Sequence, residues 1–392
     1  MNNNTTNATY TCIFCRCQFS QAPAEHILQN SLGTTWTCNS FMCPQCQSLF
    51  GSEPDVAVGE FSTFFRNILN IGTGREPKKV PTIPDVTDAN GHEYVLLPGC
   101  VPELKKPYFE VLEDSIRLIT SKRKGQEEWC RHIVEKAGYT LGEEIQRSVE
   151  SEGVSRVHAK LGFSFLNFAM ALLKSALNLI GVNDANIALR PCFDELRNEL
   201  LTQNVEKCQQ RVFCIPAAAL PYDSYALCGH QMYVFSIDNQ VSAVIRLFGG
   251  VTFQLNLSHQ YEGHPFCFVY VADPLRLKTK LATSDYNPKL IEQLLQQPSP
   301  VMQLGNDKFY ECVQQGYELF MYKSIANNYM YPLLMCDSQL KQPFFSSLFQ
   351  AIMPAINGQI FNELTCGSFF RFAGFMKQVI QRMHDIIKKT DI

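Results

Sequence analysis

The chain has 392 residues, 46% hydrophobic and 18% charged, which is enough apolar material for two or three packed domains and excludes a chain disordered throughout. A formal net charge of −3 with a pI near 6.3 excludes a protein that coats nucleic acid by bulk charge, so any phosphate binding must be local. Sixteen cysteines are many for this length, yet the polar run Asn2 to Asn7 lacks the order of a secretory signal, so a reducing, cytoplasmic setting is expected.

In that setting isolated thiols such as Cys192, Cys208, Cys267 and Cys312 read as small buried apolar groups, and closely paired ones as metal ligands. Residues 1–9 read as a disordered polar tail. Residues 10–81 hold Cys12-Ile-Phe-Cys15 and Cys43-Pro-Gln-Cys46, which bracket the dipeptide Glu25-His26. Thiolates two residues apart grip one tetrahedral ion from a tight turn, and two such turns complete a structural zinc site; nearby Cys17 and Cys38 remain alternative ligands. One ion bound by both pairs closes a β-hairpin at its base, with Glu25-His26 on the first strand and Gln47 at the start of the following helix. A carboxylate suits a hard divalent cation, and an imidazole with a near-neutral pKa suits proton abstraction from water. A helix follows from Asp55 to Asn70, with Val58, Phe61, Phe65, Ile68 and Leu69 at helical spacing, Asp55 as N-cap, and Gly72 and Gly74 ending it. The proline-rich stretch Glu76 to Pro84 marks a domain boundary near Pro81.

Residues 82–152 read as a connecting α+β segment, with strands at Tyr94 to Leu97, Tyr108 to Leu112 and Ile116 to Ile119 and a helix from Gln126 to Ala137. The basic turn Lys122-Arg123-Lys124 within it is either a solvated turn or a nucleic-acid contact. Residues 153–280 read as an α+β domain with a core helix from Ser155 to Ile180. Its most apolar part, Leu161 to Ile180, carries Asn167, Lys174 and Asn178, which suits a buried core better than a bilayer. A strand is expected near Val212 to Ile215. Four β-rich runs follow, Gln231 to Ile237, Val241 to Phe248, Val251 to Leu257 and Phe266 to Ala272, and read as an antiparallel meander on that helix. Residues 281–392 read as helical, ending in an amphipathic segment from Phe369 to Lys389. The fold class is therefore α+β, with a zinc-bound N-terminal ββα module, a larger region with an antiparallel sheet and a helical C-terminus.

The order Cys12-Ile-Phe-Cys15, Glu25-His26-Ile27-Leu28, Leu32-Gly33, Cys43-Pro-Gln-Cys46-Gln47 and Phe50-Gly51-Ser-Glu-Pro-Asp55 resembles the zinc-ribbon subset of the HNH endonucleases, the ββα-metal nucleases. Arg66-Asn-Ile-Leu-Asn-Ile71 with Gly72-Thr-Gly74 extends the likeness. Weaker similarity continues at Lys160, Val244-Ile-Arg-Leu-Phe-Gly249 and Leu255-Asn-Leu-Ser258.

That resemblance implies His26 as general base, Glu25 and Gln47 as ligands of a catalytic Mg²⁺ or Mn²⁺, and Asn39 as the residue that orients the His26 ring. Glutamine at 47 departs from the asparagine or histidine usual in the family, which leaves Glu53 as another ligand candidate. Arg66, Lys78 and Lys79 are expected to meet nucleic acid, DNA before RNA, although Arg66 equally suits a helix-surface ion pair. Nucleases of this kind often serve bacterial defence or mobile elements, which brings in a regulatory protein partner or a second copy of the chain, and no membrane. The competing reading is a catalytically silent zinc-ribbon adaptor that binds nucleic acid or protein, and a third places the main function in the C-terminal two thirds. His158, His230, His259 and His264 have no second ligand pair at zinc-site spacing and read as structural.

Overall fold

The structure, a computed structural model, describes residues 9–73, 79–121, 124–142, 157–159, 162–223, 226–276, 278–296 and 307–340, with Met376, Gln378 and Val379. Residues 1–8 of the tail, Gly74, Lys78, Lys122, Arg123, Lys160 and the segment Phe369 to Lys389, apart from those last three residues, lie outside the described residues. The chain divides into two compact units: Met1–Val58 with Ser164–Ile392, and Gly59–Phe163. The boundary expected at Pro81 falls inside the second.

The first unit opens with two short hairpins. Strand β1 (Tyr10–Thr11) pairs with β2 (Gln18–Phe19), and β3 (Glu25–His26) pairs with β4 (Thr37–Cys38), Glu25 opposite Cys38 and His26 opposite Thr37. Helix α1 (Pro44–Phe50) starts on Cys43 with Pro44 in its first turn, where a missing N–H costs no hydrogen bond. Helix α2 (Glu53–Ile68) begins two residues before the expected cap, so Asp55 lies in its first turn, where a carboxylate favours the helix dipole. Asn70 at φ 55° turns the chain out of it.

In the second unit, β5 (Ile83–Asp88), β6 (Glu93–Leu97), β7 (Val101–Leu104) and β10 (Val157–Ala159) form an antiparallel sheet in the order β10-β5-β6-β7. Ile83, Val86, Tyr94, Leu96 and Leu104 form its core. A hairpin of β8 (Tyr108–Val111) and β9 (Ile116–Ile119) precedes α3 (Gln126–Lys136). The Asn67 amide donates to the carbonyls of Pro81, Leu96 and Leu97 at 2.8, 3.1 and 3.2 Å, closing α2 onto this sheet.

The core helix α4 (Phe165–Asn183) starts ten residues later than Ser155, because the Ser164 hydroxyl caps it by accepting from Asn167 N while Val157–Ala159 is drawn into a strand. By length and a mean hydropathy of 1.6 it would cross a membrane, yet 83% of that window is buried inside the protein. Short helices α5 (Ala185–Ala188), α6 (Asp194–Leu201) and α7 (Val205–Gln210) lead to a six-stranded antiparallel sheet. Its strands are β11 (Val212–Ile215), β12 (His230–Ile237), β13 (Gln240–Arg246), β14 (Thr252–Ser258), β15 (Cys267–Asp273) and β16 (Lys278–Thr283). The order is β11-β14-β13-β12-β15-β16, so the expected simple meander holds only from β12 to β14 and β15 returns to pair with β12.

Asp238 and Asn239, at φ 46° and 63°, make the tight β12–β13 turn that Asp and Asn tolerate. Gly249 (φ +68°) has no alternative, since a Cβ there would stand 1.9 Å from the Leu227 carbonyl oxygen. On the sheet, Tyr233, Phe235, Val244, Val269 and Val271 cluster with Leu290, Ile291 and Leu294 of α8 (Pro288–Leu295). Phe168 of α4 meets Phe253 with ring centroids 5.4 Å apart, and Phe165 meets Phe309 of α9 (Asp307–Leu340) at 5.0 Å. The chain is thus mixed α/β with antiparallel sheets and a helical C-terminus, and Cys208, Cys267 and Cys312 are buried as expected while Cys192 is partly exposed.

Candidate metal centre and acid–histidine site

The ligand atoms of Cys12, Cys15, Cys43 and Cys46 all lie within 4.8 Å of one another, close enough to bind one metal ion. Around zinc, sulfurs about 2.3 Å from the ion stand roughly 3.8 Å apart at tetrahedral corners. The observed 3.6 Å between Cys15 and Cys43 fits that spacing, so the donor set and its size suit a structural zinc. Local backbone builds the nest: Cys12 N donates to Cys17 O and Arg16 N to Cys12 O, both at 2.9 Å, with Arg16 at φ 61°. Cys43 N points at the Cys12 sulfur from 3.4 Å.

Crowded thiols cannot all ionise without a cation. A hydrogen bond with Cys46 holds Cys12 down to about 5, and the same contact pushes Cys46 far up. Of the alternative ligands, Cys17 stands at the rim with its sulfur 3.2 Å from Cys15, whereas Cys38 is 3.1 Å from the Ser40 hydroxyl and belongs to a different contact.

Pairing with β4, which precedes Cys43, sets Glu25 and His26 on β3. Residues that neighbour on a strand alternate sides, yet the charges of Glu25, Lys174 and Asp55 all act on the His26 ring. Burial dominates them and moves the imidazole below its ordinary 6.5, toward the neutral form that accepts a proton. The ring's Nδ1 is buried with no hydrogen-bond partner among the described residues, as is Oδ1 of Asn178. The Asn178 amide nitrogen donates to the His26 carbonyl at 3.1 Å.

Glu25 Oε1 receives the Lys174 ammonium at 2.6 Å, and Asp55 Oδ1 lies 3.4 Å from the same nitrogen. Two carboxylates against one ammonium leave a net negative charge beside a neutral imidazole. The carboxylate oxygens are hard donors, and the Lys174 ammonium already engages one of them at Glu25. Gln47 plays a different part from Asp55: its amide nitrogen donates to Pro23 O at 2.8 Å and Met42 O at 3.5 Å, tying α1 to the chain that leads into β3. Glu53 accepts from the Asn167 amide at 3.1 Å, beside an open cleft of about 260 Å³ that both line.

Asn39 is exposed in the bend after β4. In the second unit the Arg66 guanidinium donates to the backbone carbonyls of Lys79 (3.0 Å) and Ile71 (3.4 Å), and Lys79 is exposed. His230 is buried and structural: Phe248 N donates to its Nδ1 at 3.2 Å, so Nε2 carries the proton toward Leu32 O at 2.9 Å. His158, His259 and His264 are exposed.

Sequence reasoning missed Lys174, Asn178 and Asp55 as members of one site. A signal was present, since Lys174 and Asn178 interrupt the most apolar helix at a spacing of four and so share one face. The chain matches no family model, no curated protein and no solved structure.

Proposed function

We propose that the protein hydrolyses phosphodiester bonds of nucleic acid, DNA before RNA, with His26 as the base that takes the proton from the attacking water. The observation that carries this reading is a half-buried imidazole biased toward its neutral form, adjacent in sequence to a carboxylate, on a strand closed at its base by four cysteine sulfurs. A neutral imidazole is competent to accept a proton at physiological pH without first losing one. Glu25 and, by the resemblance, Gln47 would hold Mg²⁺ or Mn²⁺, which when bound supplies Lewis-acid and electrostatic stabilisation of charge on the phosphoryl oxygens. The carboxylate excess explains why a cation is needed: without one, Glu25 and Asp55 repel an anionic diester. The four cysteines hold the frame and take no part in the chemistry.

Full-length His26→Ala with its zinc retained tests this in Mg²⁺ against plasmid DNA. General-base removal is expected to slow cleavage by roughly 10²–10⁴-fold, and a rate equal to the parent's would remove His26 from the mechanism.

The Gln47 contacts favour a second reading, a silent zinc-ribbon adaptor, because an amide committed through its nitrogen to backbone serves as a tether. Nucleic-acid binding that ignores divalent cations and survives Glu25→Ala would select the adaptor.

A further inference from the structure

Lys174 is 1% exposed in the largely apolar core helix α4, and a buried ammonium is costly unless its partners are close. Its partners are Glu25 and Asp55, and the exposure of the three side chains rises from 1% at Lys174 to 17% at Glu25 and 36% at Asp55. The positive charge therefore lies at the bottom of the cluster and the carboxylates toward solvent. The Phe50 ring, 5.7 Å from the ammonium, covers one side of it.

The same helix also holds β3 and the residues just after it. Asn178 holds the His26 carbonyl at 3.1 Å, and Gln29 is bonded through both ends of its amide, to Ala171 O at 3.1 Å and the Ser175 hydroxyl at 3.1 Å. A lysine used only to fill the core would be replaceable by an apolar residue of like volume at little cost, so its burial under two partly exposed carboxylates calls for another reason.

We propose that Lys174 is a positioning residue of the hydrolytic site, acting through Glu25 and Asp55 to fix the carboxylate oxygens that meet the cation, without touching substrate. The proposal rests on the nuclease reading above and adds Asp55 to that site. Carboxylates that bind metals are themselves held by hydrogen bonds from behind, and loss of such a support weakens metal binding or activity about 10–100-fold.

The test uses full-length protein with its zinc retained, Mn²⁺ as the probe read by electron paramagnetic resonance, and cleavage of a labelled DNA duplex. Lys174→Met should weaken Mn²⁺ binding about 10–100-fold and raise the Mg²⁺ concentration for half-maximal rate, with KM for DNA unchanged. Lys174→Arg should recover most of that loss. Mn²⁺ bound by Lys174→Met as tightly as by the parent, or more tightly, overturns the proposal and makes the ammonium a competitor for the cation's place. Should Lys174→Met lose its zinc or its fold, Asp55→Asn gives the second reading: weaker Mn²⁺ binding supports the proposal and unchanged binding overturns it. A parent that binds Mn²⁺ in a Lys174-dependent way but cuts no nucleic acid sinks the nuclease reading alone. A parent that cuts DNA while Lys174→Met leaves Mn²⁺ affinity unchanged sinks this proposal alone.

Discussion

Among the described residues of the first unit, two of the buried charge clusters have opposite designs. At Glu25–Lys174–Asp55, two carboxylates answer one ammonium and exposure grows outward from 1% to 36%. At Asp223–Arg246–Lys323, one carboxylate answers two cations and none of the three side chains is more than 4% exposed. Arg246 Nη1 donates to both Asp223 oxygens at 2.8 Å, Lys323 Nζ to Oδ1 at 3.0 Å, and Gln231 adds a bond at 2.8 Å. Burial alone would raise the Asp223 pKa, but Arg246 and Lys323 hold it well below the carboxylate range; burial in turn brings Lys323 down to about 8. The sealed cluster joins α9 to the sheet and has no face for a ligand. The graded cluster instead presents carboxylates to solvent over a buried counter-charge.

Zinc removal should affect the two most unequally. Structural zinc sites in small modules are worth on the order of 10 kcal/mol of binding free energy, so chelation or Cys43→Ser is expected to release the hairpin that carries Glu25 and His26. Hydrogen exchange should then rise across residues 9–50 while β12 and β13, around Arg246, stay protected. Equal loss of protection in both regions would show that they fold as one cooperative block and erase the distinction.

Removing the carboxylate from each cluster sharpens the contrast. Asp223→Ala strands two buried cations, and breaking a sealed pair in this way costs about 3–5 kcal/mol. Glu25→Gln keeps an amide oxygen that can face Lys174 and leaves the partly exposed Asp55 at 3.4 Å from the ammonium, so about 1–2 kcal/mol is expected. Denaturant unfolding of the two variants measures both, and a larger loss at Glu25 would reverse the assignment.

The last of these effects is spread over a pH window. His230 lies between the cysteine-cluster segment, through Leu32, and the sheet, through Phe248, and burial depresses it to about 4. The folded state thus stays unprotonated while the unfolded chain takes up a proton near the ordinary 6.5, so stability is complete above about 6.5 and falls as the pH drops toward 4. The full window is worth about 3 kcal/mol. His230→Gln should flatten that slope in unfolding curves taken from pH 7 to 4; an unchanged slope would place the acid sensitivity elsewhere.

Much of the local structure was legible because local chemistry controls it. The C-x-x-C spacing located the cysteine cluster, β-rich runs between turn residues located β12 to β14, helical periodicity located α2 and an apolar run located α4. The limits lay where partners are distant. Strands such as Ile83–Asp88 and Lys278–Thr283 carry polar residues that only a neighbouring strand makes regular, and β15 could not be assigned to β12 without the whole sheet.

The candidate site shows the same split. Sequence by itself singled out Glu25 and His26 as neighbours between two cysteine pairs whose ends lie within 34 residues of each other, a cluster that local spacing reveals. Only the tertiary structure decided that Lys174 and Asn178 support them and that Gln47 is tied to backbone. The physical reason is that a buried ammonium must be neutralised by whatever the packing brings within a few ångströms, and its carboxylate partner Asp55 is 119 residues away along the chain, beyond the reach of any local pattern.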